Sequence, residues 1–455
     1  MNIHHLKIEG LFGYIDKNID FKNDITLLIG INGAGKTSIL NIVSWLIKPS
    51  IPHLCVIEFK SLELSCKVKD KEYKILCKHN KNILKYELIS PGETFAPLTV
   101  QIKMPPEQLA NDENLKNNLF MEYFQLRLEK KEIPTWNFLK ANFPNPTIIG
   151  LDRNLYTEES ENIFFEERAV RGQSIRKAQV GAMSPLDRVK QIVNTEYRKK
   201  KNNILNLTDK LKNQLILSAF EGSISIESVT KGIRYKLKLI QIENAEKRVG
   251  EYFQQFEKTA FTDKDKELIA NYFQQLKTIT KQYQENPSSE NVKFLFGLNA
   301  SQFKKINNLL KEFQRFEKKS NETLEKINLY LTTLNFFLKD SAKQLLFKED
   351  TSELCFNTLD KKGEKVTEFK DIKFLSSGEQ QILILFSYLA FNSQDGKLFI
   401  IDEPELSLHV KWQEDFLKYL EIITPKSTQV ILATHSPILV GNKKENAVLL
   451  YPYNR

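Results

Sequence analysis

The stretch Ile25-Thr26-Leu27-Leu28-Ile29-Gly30-Ile31-Asn32-Gly33-Ala34-Gly35-Lys36-Thr37-Ser38 decides the fold. Its first five residues are apolar and partly β-branched, as in a strand buried on both faces. The loop after them has the spacing G-x-x-x-x-G-K-T, in which glycines let a phosphate chain lie against backbone N–H groups. A helix starting near Lys36 would point its positive end at those phosphates. Gly30, Asn32, Gly33, Gly35, Lys36, Thr37 and Ser38 are therefore the candidate nucleotide-binding residues. Lys36 would pair with the β and γ phosphates, and the Thr37 hydroxyl would hold Mg²⁺. A glycine-rich turn with a stray lysine would explain neither the flanking strand nor the threonine.

The chain has 455 residues, 41% hydrophobic and 27% charged, enough for a large core in two or three lobes of a soluble protein. Met1-Asn2-Ile3-His4-His5-Leu6-Lys7-Ile8 reads as a strand rather than a signal peptide. The best candidate for a membrane span, Ile382 to Phe391, is too short and contains Ser387. Cys55, Cys66, Cys77 and Cys355 lack metal-ligand spacing and read as buried free thiols in a reducing cytoplasm. A net charge of +9 allows a DNA partner, or simply a solvated lysine-rich surface.

From the N-terminus, residues 2–9 and 17–21 read as paired strands around Gly10-Leu11-Phe12-Gly13-Tyr14. Phe12 or Tyr14 would lie near an adenine ring, or pack as an aromatic within the turn. The helix after the loop stops at Pro49-Ser50-Ile51-Pro52. Val56–Phe59, Leu62–Val68, Tyr73–Cys77 and Tyr86–Ile89 alternate as an antiparallel meander. Pro105-Pro106-Glu107 opens a helical stretch toward Leu139. Thr147 to Leu151 returns to strand character and leads into Asp152-Arg153-Asn154, where Arg153 reaches the sheet edge of the loop or forms a surface salt bridge. Residues 158–179 read as a polar loop, basic through Arg168, Arg171, Arg176 and Lys177.

A helical insert follows from about Pro185 to Asp340, with Arg198-Lys199-Lys200-Lys201 in its first helix. Phe303, Ile306, Leu310, Phe313, Leu324, Ile327, Leu331, Leu334 and Leu338 fit one alternating three-four pattern, with Glu317 and Ser320 at its weak middle. That is a heptad seam, whose partner is an earlier helix of the insert or a second subunit. Leu345–Leu359 and Val366–Phe369 read as a strand pair. The expected fold class is α/β, with the halves of one head at 1–155 and 344–455 and a helical, coiled-coil-like insertion at 156–343.

The chemistry resumes at Phe374-Leu375-Ser376-Ser377-Gly378-Glu379-Gln380, before an apolar helix. Ser-Gly in that position is a capping signal with anion-binding potential. Lys397-Leu398-Phe399-Ile400-Ile401-Asp402-Glu403-Pro404 is an apolar strand ending in two carboxylates, the Walker B arrangement. Asp402 would act on Mg²⁺, directly or through water, and Glu403 would orient the attacking water or accept its proton. Glu405-Leu406-Ser407-Leu408-His409 follows. Gln429 to Ala433 then gives a buried strand ending in Thr434-His435-Ser436-Pro437. A histidine at the carboxyl end of a parallel strand lies on the ligand-binding edge, so His435 is a candidate for the γ-phosphate.

In this order the five motifs resemble those of the ABC-type ATPases of the RecF, SMC and overcoming-lysogenization-defect group. The resemblance covers residues 1 to about 48 and 370 to 440. It implies ATP and Mg²⁺ as cofactors and a homo-oligomer joined through ATP-bound heads. Ser376, Ser377, Gly378 and Glu379 of one head would contact the γ-phosphate held by Lys36 and Thr37 of the other. Ser407 would lie in the D-loop at that interface, and His435 would be the switch histidine. No glutamine stands convincingly at the Q-loop position, where Asp152-Arg153-Asn154 occurs instead. The chain leaves no room after His435 for the Toprim nuclease of the overcoming-lysogenization-defect proteins. It is similar in that respect to the ATPase subunits of anti-phage systems, such as PtuA of Septu and AriA of PARIS. That likeness implies a separate nuclease partner, of HNH type if Septu-like. The rival expectation is a RecF-like repair ATPase that clamps DNA.

Overall fold

The computed structural model describes residues 1–80, 82–109, 112–150, 155–156, 183–220, 230–231, 238–255, 262–392, 398–406, 408–441 and 443–451. Asp152-Arg153-Asn154, the basic segment 158–179 and Ser407 lie outside the described residues.

The chain opens with β1 (Asn2–Leu11), β2 (Ile15–Asp20) and β3 (Ile25–Gly30), then α1 (Lys36–Ile47) and α2 (Ile51–Val56). The meander is β4 (Ser61–Val68), β5 (Lys71–Asn80), β6 (Ile83–Ile89) and β7 (Leu98–Gln101). After it come α3 (Glu113–Phe124), α4 (Ile133–Asn142), β8 (Thr147–Ile149) and the short β9 (Leu155–Tyr156). Among the described residues the helices α5 (Pro185–Phe220), α6 (Leu239–Gln255), α7 (Asp263–Glu285) and α8 (Glu290–Leu338) follow. The rest is β10 (Lys343–Phe347), β11 (Leu354–Leu359), β12 (Lys365–Asp371), α9 (Ser377–Phe391), β13 (Leu398–Asp402), α10 (Val410–Ile423), β14 (Gln429–Thr434), α11 (Pro437–Val440) and β15 (Ala447–Leu450). The chain divides into two compact units, one of Met1–Glu196 with Asn328–Arg455 and one of Tyr197–Ile327.

The first unit holds three sheets. One runs β15-β3-β14-β13-β8-β9, parallel through its first five strands. Its inner strands are apolar without alternation because both faces are covered: β13 and β14 are buried at every residue. The second runs β2-β1-β4-β5-β6-β7 and is antiparallel. There β4 buries Leu62, Leu64, Cys66 and Val68 on alternate residues and turns Glu63 and Lys67 outward. The outward face is laced by the pairs Lys7–Glu9, Lys74–Glu63 and Lys85–Glu87. Ile39, Ile42, Val43 and Leu46 of α1 share one core with the inner face of this sheet. All four cysteines are buried and free, and burial pushes the thiols of Cys55 and Cys66 up to about 12.

Several elements differ from the sequence reading. Val56–Phe59 is not a strand: Pro52, near the start of α2, favours a short helix that ends at Val56. The stretch toward Leu139 breaks into α3 and α4. Residues 345–359 form two strands, because a turn at Lys348–Glu353 with Ser352 in the left-handed region (φ +59°) separates β10 from β11. The third sheet is therefore three-stranded, β10-β11-β12.

The heptad seam lies on α8 and divides. In the helical unit Phe303, Ile306, Leu310 and Phe313 pack with Ile242 and Ala245 of α6 and Phe273 and Leu276 of α7. That part closes within the chain. In the other unit the seam's Leu334 and Leu338 are buried and Leu331 only partly so. Tyr330 and Phe337, which the seam left out, are buried beside them, Phe337 against Phe386 of α9, and the Tyr330 hydroxyl hydrogen-bonds Ser387 at 2.7 Å.

Candidate functional site

The parallel register brings three motifs to one sheet edge. β14 pairs Thr434 with Ile29 of β3, and Ala433 with Asp402 of β13. The carboxyl ends of three strands therefore deliver the loop after Gly30, the Asp402–Glu403 pair and His435 side by side. Gly30 is required sterically, since a Cβ there would stand 2.7 Å from Leu450 O of the neighbouring β15. Gly33 and Gly35 hold φ of +82° and +84°, open to glycine at little cost. The first turn of α1 has no side-chain cap and no acidic residue, which leaves its N–H dipoles unopposed toward an anion.

Lys36 is only 5% exposed. Its Nζ lies 3.0 Å from Gly30 O and 2.6 Å from His435 Nε2. Burial lowers the Lys36 ammonium below its ordinary value, against the pull of Glu403, Asp402 and Glu405. His435 Nε2 is also 2.8 Å from Glu403 Oε1. That nitrogen either donates to Glu403 or accepts from Lys36, so it serves one partner at a time. Glu403 itself sits in the left-handed region at φ +48°, with its N–H on Ala433 O at 2.9 Å.

Thr37 Oγ1 donates to Asp402 Oδ2 at 2.8 Å. Asp402 is 6% exposed, and burial holds its carboxyl above the usual range despite that hydrogen bond. A hydroxyl beside a carboxylate next to a phosphate-type loop is a hard-oxygen donor set, the chemistry that suits Mg²⁺. Thr37 and Asp402 are the residues that would hold it.

The loop before α9 is built differently. Ser376 caps the helix in a capping box with Glu379, whose Oε2 accepts the Ser376 N–H at 2.6 Å. Glu379, expected to meet a γ-phosphate, is instead 3% exposed with its carboxylate turned inward and held by Lys343 Nζ at 2.9 and 2.7 Å. Burial pulls its carboxyl up, but the hydrogen bonds from Lys343, Ser341 and Ser376 outweigh that and leave it below the usual range. Ser376 and Ser377 are exposed, and Gly378 is buried.

Three residues that sequence reasoning gave no role also shape the site. Glu405 Oε1 accepts the N–H groups of His435 and Ser436 at 2.6 and 3.2 Å, fixing the turn that carries the histidine. Its place in the Glu405–His409 motif was a usable signal. Lys343 lies on β10, 36 residues from Glu379, and nothing local marks it. Gln381 Nε2 donates to Pro404 O at 3.1 Å, tying α9 to the segment after Glu403.

Phe12 and Tyr14 are 41% and 63% exposed on the β1–β2 turn rather than packed within it. Ile15 at the end of that turn stands 3.6 Å from a Cβ built on Gly35, so the turn borders the loop. A separate cavity of about 960 Å³, walled by His53, Phe124, Trp136 and strand β7, contains none of these motif residues.

Residues 1–440 match the AAA ATPase domain family. The chain belongs to that family and is an ATPase. Among solved structures, this ATPase is similar to the Smc head domain with an extended coiled coil bound to the C-terminal domain of ScpA, from Pyrococcus furiosus. The identity is 13%, the match covers 98% of this chain and 93% of that one, and the TM-score is 0.35. It is also similar to the SMC head domain from Thermotoga maritima, at 11% identity, 99% and 94% coverage and a TM-score of 0.36. No curated protein matches the ATPase. Among its described residues no helix is long and apolar enough to cross a membrane.

Proposed function

We propose that the chain is the ATP-binding and ATP-hydrolysing subunit of a bacterial anti-phage complex, an ABC-type head that sandwiches ATP with a second copy and controls a separate nuclease. One observation carries the sandwich. Lys36, Thr37, Asp402, Glu403 and His435 converge at one sheet edge, while Ser376 and Ser377 stand exposed on the cap of α9. Such a loop is free to meet a phosphate held by another copy.

In this reading Lys36 holds the β and γ phosphates, and Gly30, Asn32, Gly33, Gly35 and Ser38 shape or line the cradle. Thr37 and Asp402 hold Mg²⁺, which supplies charge neutralisation when bound. Water attacks the γ-phosphorus, the bond to the ADP oxygen breaks, and the water proton passes to Glu403. His435 senses the γ-phosphate and exchanges partners between Lys36 and Glu403. Ser376, Ser377 and Gly378 meet that phosphate from the second copy, with Ser407 nearby, and Glu379 holds their loop in shape through Lys343. Tyr14 and Phe12 supply an apolar face for the base.

The defence role rests on the resemblance of an ATPase head interrupted by a helical insert to the ATPase subunits of anti-phage systems such as PtuA of Septu. A RecF-like clamp on DNA is the second reading, favoured by the net charge of +9. Native mass spectrometry of Glu403→Gln protein, expressed with its flanking genes with and without ATP, separates the two. A heteromeric assembly containing a nuclease-sized chain is the expected result. A homodimer that forms only with ATP and carries DNA alone would replace the defence reading with the clamp.

A further inference from the structure

Two buried oxygen atoms near the strand ends have no hydrogen-bond partner: Asp402 Oδ1 and Gln381 Oε1. Both are acceptors, so they cannot satisfy one another. Their residues line the same small cavity of about 20 Å³, together with Ile149, Gly150 and Pro404. That volume is about one water molecule. The amide orientation is fixed independently, because Gln381 Nε2 already donates to Pro404 O. Gln381 Oε1 must therefore face a donor.

We propose that a single buried water fills this cavity, donating one hydrogen to Asp402 Oδ1 and one to Gln381 Oε1, and that Gln381 is thereby a positioning residue for the metal-binding carboxylate. The water completes a fixed frame for Asp402. Oδ2 is held by Thr37 and Oδ1 by the water, so the carboxylate plane is set before any cation arrives. A buried carboxylate oxygen left bare keeps its full desolvation penalty, so the bridge is favoured over a dry cavity. The same water links α9, which carries Ser376 and Ser377 on its cap, to the strand that carries the carboxylates. The inference rests on reading Asp402 as the metal-holding residue.

The deciding measurement is a high-resolution crystal structure of the metal-free, nucleotide-free protein. One spherical density peak within hydrogen-bond reach of both oxygens is expected. An empty cavity, or an Asp402 carboxyl bonded directly to the Gln381 amide, overturns the proposal. Gln381→Met then tests the consequence. It removes the acceptor at similar size, together with the Nε2 bond to Pro404 O that Gln381→Glu also loses while keeping acceptors. The Mg²⁺ half-saturation of ATP hydrolysis is expected to rise about tenfold in Gln381→Met and less in Gln381→Glu. ATP affinity without metal should stay unchanged. Wild-type Mg²⁺ dependence in Gln381→Met would also overturn it. Lys36→Ala checks the underlying site reading separately, since retention of ATP binding there would fail that reading whatever Gln381 does.

Discussion

At the scale of single residues, Glu403 is the most informative. Holding a non-glycine side chain at φ +48° costs roughly 1–2 kcal/mol, and a fold keeps such a conformation where the carboxylate is needed. Glu403→Asn tolerates the left-handed region better. It is expected to raise the melting temperature by about 1–2 °C while abolishing steady-state ATP hydrolysis. A variant that loses stability would show that the lost Glu403–His435 pair outweighs the relief of the backbone. His53 gives a pH-dependent counterpart. Burial pushes it down to about 4, with Lys116 adding to the effect, while it stacks on Trp45 and hydrogen-bonds Ser50. The native state thus favours neutral imidazole, and the unfolded chain takes up a proton below its ordinary 6.5. The stability this contributes is complete above pH 6.5 and is lost as pH falls toward 4, about 3 kcal/mol in all. Thermal unfolding across that range, compared with His53→Gln, should show the extra loss only in the wild type.

At the scale of elements, the cap of α9 depends on a buried ion pair. Lys343→Met would leave Glu379 charged in the interior without its counter-ion, at a cost of about 3–5 kcal/mol. Thermal denaturation should show it, and Lys343→Met with Glu379→Gln together should recover most of the loss. Elements also show how far the sequence could be read. The phosphate loop was legible because its strand, glycines and lysine are contiguous, and the same holds for the β13 strand ending in Asp402. The inner strands were legible from unbroken apolar runs. Lys343 with Glu379 was not legible, because the contact joins separate elements and neither side chain signals the other. Gln381 was missed for a similar reason, its partners being a carbonyl and a cavity. The seam on α8 was legible as a period but not as two burials, since the heptad pattern records which face is apolar and not what covers it.

At the scale of the whole molecule, two compact units imply separable stability. Phe303 is fully buried in the helical unit. Phe303→Ala should destabilise that unit by about 3–5 kcal/mol, seen by calorimetry as one shifted transition. ATP affinity should be unchanged, because the candidate site residues all lie in the other unit. A matched loss of ATP binding would mean that the two units melt as one.

The sheet order sets a timetable for synthesis. Among the described residues β1, β2 and β4 to β7 pair only among themselves, so the meander can close once residue 101 has emerged. β3, made earlier, pairs among the described strands with β14 and β15 and waits for about 400 residues before the first of them exists. At about 5–20 residues per second, an apolar strand with two open edges leaves the ribosome roughly 20–80 s before it can pair. Nascent chains released early would present that strand to solvent, and this is the interval in which chaperones have most to guard.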